Sequence, residues 1–448
     1  MDFLTFKKYL KELLILALPI LAGNIGQMLI NIGDVYVAGH FNTNTLAAIS
    51  VASAIFMTFI IPGIGLCAAV TPVLSNYRGE RKPVKKLFGV TIVFSQVLAI
   101  IFFSLLWLVI PLVYKIGLSN EIIQGTIDYL KISTFSIFGI FLYSALKEFL
   151  QSHEIVLFPN VMMGLCVVIN LVLNFIFTFG YGFIPSMGTI GLAIASLTVR
   201  TLLAATVFIY CMGFLKRSRF DNIKRYAKDL IKIGLPIAGA MFIEFLGFNF
   251  VAVFVGKFDP LYAACHNIII SITSLSYMIP FSISSALSVK VGYANGSKNI
   301  ENIKKYTLTS FIFILIYAII TVIFYLAYKE PVMRIFSKDI EVIKTGASIM
   351  LIVAGFVTFD GIQAVCVGAL RGLKQTVQIL IIMFLSYALV SIPMGLVLAY
   401  KYNIILEGFW LGLAAGILIA AIISGAILIK QYFYLKKHYI ADWLCFIV

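Results

Sequence analysis

Long apolar stretches alternate with short charged segments along the chain, and twelve of them are long enough to cross a lipid bilayer: roughly 13–39, 46–75, 87–114, 123–146, 155–181, 188–215, 233–256, 261–288, 306–328, 345–370, 377–400 and 408–429. A helix needs about 20 mainly apolar residues for that crossing. None of the stretches shows the period-two polarity of a barrel strand, so their length predicts helices. The expected fold is an all-α integral membrane protein of twelve transmembrane helices.

Two of the stretches match one another 217 residues apart. Ala17-Leu18-Pro19-Ile20 leads through an apolar run to Gly39 and Phe41, and Gly234-Leu235-Pro236-Ile237 leads to Gly256 and Phe258. In this register Gln27 faces Glu244. Further pairs follow: Leu46-Ala47-Ala48 with Tyr262-Ala263-Ala264, Pro62 with Pro280, Asn76-Tyr77-Arg78-Gly79 with Gly292-Tyr293-Ala294-Asn295-Gly296, and Ala145-Leu146-Lys147 with Ala369-Leu370-Arg371. Matched pairs are six spans apart, so each crosses the membrane in the same direction. The halves are therefore expected to be parallel repeats: an N-lobe at 1–215, a basic cytoplasmic linker at 216–232 and a C-lobe at 233–448, with a cavity between the lobes.

Composition agrees with a membrane setting. Hydrophobic residues make up 61% of the 448-residue chain and charged residues 12%, far from soluble usage. The short basic N-terminus has no small-residue cleavage site after it, so the first span is expected to stay in the mature protein. A net charge of +15 is not spread evenly along the chain. Lys7, Lys8 and Lys11 precede span 1, Arg78 to Lys86 lie between spans 2 and 3, and Lys216 to Lys232 follow span 6. Residues 40–45 and 181–187 carry no Lys or Arg. This pattern places both termini in the cytoplasm and argues against a nucleic-acid surface. Residues 329–344 carry Lys329, Arg334, Lys338 and Lys344 together with Glu330, Asp339 and Glu341, and are expected to form an amphipathic outer segment. Cys67, Cys166, Cys211, Cys265, Cys366 and Cys445 have no metal-ligand spacing, so they are expected to be free thiols acting as small hydrophobes.

A carboxylate at the bilayer centre costs at least about 2.5 kcal/mol and marks a function by default. Asp34 in span 1, Glu244 in span 7 with Asn249 beyond it, and Asp360 in span 10 with Gln363 at i+3 are such residues. The bland alternative is a neutral acid tying two helices together. Asn170 and Asn174 share one face of span 5, either to line a cavity or to bond a neighbouring helix. Ser196 and Thr198 of span 6 read as small packing residues when taken alone. Arg200 has two readings, snorkelling to the cytoplasmic headgroups or pairing with a buried carboxylate. Duplication with ionisable groups inside the bilayer is the usual build of a secondary transporter.

With these residues in place, the chain resembles the multidrug and toxic compound extrusion (MATE) family over nearly its whole length, most closely its NorM-like bacterial branch. The resemblance rests on Leu18-Pro19 running to Asp34-Val35-Tyr36-Val37-Ala38-Gly39, on Pro236 with Glu244, and on Asp360-Gly361-Ile362-Gln363 leading to Gly368-Ala369-Leu370-Arg371-Gly372. It implies two six-helix lobes in a V, exporting cationic, often aromatic compounds by antiport with Na⁺ or H⁺ through alternating access, from a multi-pass position in the bacterial cytoplasmic (inner) membrane. The implied N-lobe ion site is Asp34, Asn170, Asn174, the Leu192 carbonyl and Ser196, which stands where relatives have Thr and keeps the oxygen. A Na⁺ ion there would touch Asp34, Asn174, Leu192 and Ser196. The implied C-lobe site for ion or substrate is Glu244 and Asp360, with Gln363 beside them. Phe356 replaces a Tyr of NorM-like relatives, removing a hydroxyl, so the C-lobe pair is expected to take a proton or the cationic substrate rather than tightly held Na⁺.

The chemistry is compatible with those roles. A hard cation wants several oxygens, which a carboxylate, amides and a hydroxyl supply, while the same desolvated carboxylate can carry a proton instead. No cofactor beyond the coupling ion is expected, and the partners are small cationic compounds, a monovalent cation and lipid, with the protein acting as a monomer. Aromatic residues at 14% and 13 Met suit an adaptable pocket for flat cations, although most must face lipid or pack. Two other readings fit less well. A lipid-linked oligosaccharide flippase of related architecture is expected to have more spans and a basic cavity. A membrane enzyme could use Glu244 and Asp360 as acid and base, but His40, His153, His266 and His438 lie near span ends or outside the spans, and no nucleophile motif occurs.

Overall fold

Inside hydrocarbon the backbone can satisfy its N–H and C=O groups only within a helix or a closed barrel, and this chain takes the first route. The computed structural model describes residues 2–115, 117, 119–215 and 223–447, with side chains up to residue 437 except that of Leu215. Lys216, Arg217 and Arg219 of the expected linker, and the side chains of His438 and Cys445, lie outside the described residues. Apart from one isolated bridge between Tyr181 and Ile184, no β-structure occurs among the described residues.

Among the described residues twelve helices are long and apolar enough to cross a membrane: Phe3–Phe41, Thr43–Gly79, Val84–Lys115, Asn120–Ser152, Leu157–Phe179, Thr189–Phe214, Ile223–Phe258, Pro260–Gly296, Ile300–Ala327, Met350–Gly372, Thr376–Tyr402 and Leu406–Lys437. They are spans 1 to 12 below. Each overlaps one of the expected apolar stretches, many with extra polar turns at the ends. Span 7, for example, begins at Ile223 and takes in residues 223–232. Spans 5 and 6 fall just inside theirs, and span 10 begins at Met350 rather than at 345, because residues 345–348 belong to the short helix before it. Between spans 9 and 10 the mixed-charge segment folds as two short helices, Lys329–Phe336 and Ile340–Ser348, which bury Val332, Met333, Val342 and Ile343 and expose their charges.

Proline marks the irregular places. Span 2 opens into a turn at Ala68 and Ala69, because Pro72 four residues on lacks an N–H and its ring crowds the Ala68 carbonyl. Span 11 widens into π-turns over Leu385–Ser391, just before Pro393, where the carbonyl ladder must slip by one residue. The repeat is also visible at helix starts. Asn42 caps span 2 by accepting from the Thr45 N–H at 2.6 Å, and Asp259, 217 residues later, caps span 8 by accepting from the Leu261 N–H at 2.8 Å.

The described residues form two compact units. One comprises Pro19–Leu74 and Pro83–Ala238. In it span 4 is central, packing against spans 2, 3 and 6, and it is the least hydrophobic of the twelve spans and largely buried. The other comprises residues up to Leu18, Ser75–Lys82 and residues from Gly239 on. There span 10 is central, against spans 8, 9 and 12. This second unit thus contains the end of span 2 and the end of span 8 together. Gly79 and Gly296, 217 residues apart, meet reciprocally: a Cβ on Gly79 would lie 2.2 Å from the Tyr293 carbonyl oxygen, and one on Gly296 would lie 2.0 Å from that of Asn76. Asn76 adds a bond from Nδ2 to the Gly372 carbonyl at 2.8 Å and accepts one from Asn295 Nδ2 at 2.7 Å. The start of span 1 joins the same unit through Tyr9, whose hydroxyl donates to Asn302 Oδ1 at 2.7 Å, and through Glu12, which accepts from the Tyr306 hydroxyl.

Because backbone atoms stand in the way, Gly296→Ala forces two helix ends apart and is expected to cost about 1–3 kcal/mol. Gly355, in span 10, has nothing within 4 Å of its Cβ position, and Gly355→Ala should be neutral or slightly stabilising. Thermal denaturation in detergent checks the pair: a midpoint lowered by the first variant alone is the expected result.

Candidate functional site

Span 1 reaches span 5 along a stripe of small residues. A Cβ on Gly23 would strike Asn160, one on Gly26 would crowd Met163, and Gly33 lies 3.7 Å from Asn170 Oδ1 by the same measure. Residue i of span 1 meets residue i+137 of span 5 at each step, as two parallel helices in close contact must. The next residue, Asp34, is carried into the same seam. Its carboxylate is 4% exposed and holds two donors: Asn174 Nδ2 at 2.7 Å to Oδ1, and the Ser196 hydroxyl at 2.8 Å to Oδ2. Asn174 Nδ2 also reaches Asn170 Oδ1 at 3.1 Å. Spans 1, 5 and 6 therefore meet on one carboxylate.

The polar groups are not all used. Asn174 Oδ1 and Asn170 Nδ2 are buried without a partner, as is the Thr178 hydroxyl one turn further along span 5. An unpaired buried amide oxygen beside a carboxylate suits a cation, since both are acceptors and neither can satisfy the other. Leu192 sits one turn before Ser196 with its side chain fully buried. Thr178 was not among the expected site residues. The signal was present in the i, i+4, i+8 spacing of Asn170, Asn174 and Thr178.

Arg200 corrects the snorkelling reading. Its Nη1 donates to Ser136 of span 4 at 3.0 Å and its guanidinium lies 5.2 Å from the Phe56 ring centroid of span 2. The charge acts on Asp34 and on the buried phenol of Tyr129. The physical reason is local: packing of span 6 beside spans 4 and 2 offers the guanidinium a hydroxyl from the one and an aromatic face from the other inside the unit, which compensates for leaving the headgroups.

In the other unit Glu244 of span 7 is half-buried and Asp360 of span 10 is buried, and the two act electrostatically on each other. Both also act on Tyr277 of span 8 and Tyr387 of span 11, and Arg371 acts on Glu244. Gly247 lets span 7 approach the Tyr387 ring, where a Cβ would stand 2.5 Å from Cδ1. Asp360 Oδ1 and the Tyr387 hydroxyl have no partner. Gln363 is buried and turned to span 11, its Nε2 against Met383 Sδ at 3.8 Å. Asn249 is exposed and bonds back to the Phe245 carbonyl. Phe356 packs edge-on to Trp410 and to Phe248, with centroids at 5.5 and 6.0 Å. Tyr277 and Tyr387, each near the middle of its span, were missed by sequence reasoning, which treated most aromatic residues as facing lipid or packing. Among the described residues no cluster of three or more His, Cys, Asp or Glu could hold a metal ion, and the five described cysteines are free and buried.

A duplicated twelve-helix membrane protein with carboxylates inside its spans, one of them held by an amide and a hydroxyl from two other spans, has the build of a transporter. The chain belongs to the MatE family, whose model matches residues 19–176 and 236–397, once in each half. It is similar to the multidrug resistance protein NorM of Photobacterium profundum, 28% identical over 432 residues that cover 93% of this chain and 94% of that protein. It is also similar to a probable multidrug resistance protein NorM of Pasteurella multocida, 30% identical over 446 residues and covering 94% of each. Its fold matches the solved structures of the eukaryotic MATE transporter AtDTX14, with a TM-score of 0.86 at 21% identity over 97% of this chain and 99% of that one. The Vibrio cholerae MATE transporter VcmN in its bent form matches with a TM-score of 0.86 at 20% identity, over 97% and 99%. Members of the family are transporters, and this protein is a transporter rather than an enzyme.

Removing one donor from a buried carboxylate leaves it under-solvated, so Ser196→Ala is expected to cost about 1–3 kcal/mol of stability. Thr198→Ala, at an exposed position two residues along the same helix, should stay within about 0.5 kcal/mol of the parent. Denaturation of the two purified variants side by side distinguishes a loaded hydrogen bond from ordinary helix packing.

Proposed function

We propose that this protein is a secondary active multidrug efflux transporter, exporting small cationic, often aromatic compounds in exchange for Na⁺ or H⁺. In this reading it works as a monomer in the bacterial cytoplasmic membrane with both termini in the cytoplasm, the orientation its charge distribution favours. The observation that carries the reading is the Asp34 carboxylate, buried at the junction of three spans beside an amide oxygen that has no donor. Such a group must be offset by a cation or a proton, and an exchangeable one couples transport to a gradient. The full-length similarity to proteins named for multidrug resistance supports the efflux direction.

Glu244 and Asp360 take the second role in this reading. Two acids near one another with one nearby arginine favour an added positive charge, and the phenols of Tyr277 and Tyr387 supply π faces for an organic cation. Phe356 leaves that site without a further oxygen, so a proton or the substrate is preferred to Na⁺.

The test is efflux of a cationic dye from proteoliposomes under imposed Na⁺ or H⁺ gradients. Asp34→Asn keeps the size and removes the charge, and it should abolish gradient-driven efflux while the protein remains folded; wild-type efflux from that variant would refute the coupling role. Glu244→Gln should weaken dye binding and flatten its dependence on pH. Binding that is unchanged at every pH would leave Glu244 and Asp360 as structural hydrogen-bonding groups.

A further inference from the structure

We propose that Arg200 is a tethered counter-cation of the Asp34 site, balancing the carboxylate when the coupling ion is absent and opposing the ion when it arrives; this rests on the coupling role given to Asp34 above. Arg200 lies one turn after Ser196 on span 6, and Ser196 is the residue that donates to Asp34 Oδ2. The two side chains leave the same face of the helix. Backbone packing fixes where that face points. A Cβ on Gly139 of span 4 would stand 3.0 Å from the Arg200 carbonyl oxygen, so spans 4 and 6 are in close contact at this level.

The guanidinium is held short of the carboxylate. Ser136 Oγ accepts from Nη1 at 3.0 Å and the Phe56 ring supports the charge at 5.2 Å, while both Asp34 oxygens are taken by neutral donors. A direct ion pair would fill the site with a permanent cation and leave nothing to exchange. Held back, Arg200 acts through the low-dielectric interior without occupying the position. With Asp34 ionised the pair sums to zero, and a bound Na⁺ or H⁺ leaves one uncompensated positive charge. That charge loosens the ion, as an exchanger requires. The groups that face this pair are Phe56 from span 2, Tyr129 and Ser136 from span 4, Asn170 and Asn174 from span 5, and Ser196 on span 6 itself. Of these only Tyr129 titrates, and it carries no charge at neutral pH.

Arg200→Gln and Arg200→Met remove the charge, and Arg200→Lys keeps it; those that are folded and monodisperse in detergent are compared with the parent by calorimetric titration with Na⁺ and by the pH profile of dye efflux. Loss of a unit charge acting through the protein interior is expected to tighten ion binding roughly tenfold. This would appear as a lower Na⁺ dissociation constant, or as a pH midpoint moved up by about one unit if the ion is H⁺. Arg200→Lys should stay within about threefold of the parent, since a merely structural role for the planar group would not survive that change. Unchanged or weaker ion binding in the neutral variants, or a tenfold change in Arg200→Lys, overturns the proposal. If Asp34→Asn still exchanges ions, the coupling reading itself fails; if Asp34→Asn is inactive and the Arg200 variants bind ions as the parent does, only the counter-cation does.

Discussion

Hydrocarbon offers an ionisable group no water, so a carboxylate placed there must be solvated by its own protein. Asp34 is solvated by three helices, and much of the first unit follows from that demand. Span 1 needs its glycine stripe to bring Asp34 near span 5. Span 5 needs its amides on one face, and span 6 needs a hydroxyl one turn before an arginine. The geometry then leaves Asn174 Oδ1 unused. An acceptor without a donor is costly in a resting structure and serviceable in a site that takes up a cation.

The two halves use one scaffold for different chemistry. In each, a central span packs against three or more others, and spans 2 and 8 begin with side-chain caps at matching positions, Asn42 and Asp259. The register that pairs Pro19 with Pro236 gives Gln27 opposite Glu244 and Val251 opposite Asp34. Acids have thus been placed at different depths and on different helices. One unit surrounds a single carboxylate with neutral donors, and the other sets two carboxylates among phenols. Symmetry of the backbone does not require symmetry of charge.

The spans were legible because twelve apolar stretches separated by charges leave little choice in lipid. Asp34 and Asn174 stood out too, since polar residues are conspicuous in such runs, whereas Ser196 taken alone read as a small packing residue. Family resemblance, not spacing, joined them into one site. Arg200 could not be placed from sequence because its direction is decided by Phe56 and Ser136, more than 60 positions away. Gln363 stood close to Asp360 along the chain, yet helix rotation turns it toward Met383. Tyr387 was hidden for another reason: it sits within the π-turns of span 11, where the helical period used to assign faces no longer holds.

The reciprocal meeting of Gly79 with Gly296 bears on how such a chain could arise. Two copies of one half-length protein, each presenting this glycine to the other, would already form a self-matching pair. Six crossings return the chain to the side from which it started, so joining the end of one copy to the beginning of the next inverts neither. A gene fusion would therefore need only a short connector to convert a dimer into a single polypeptide. After that step the two glycines are separate codons, and each copy is free to acquire its own acids without imposing them on the other.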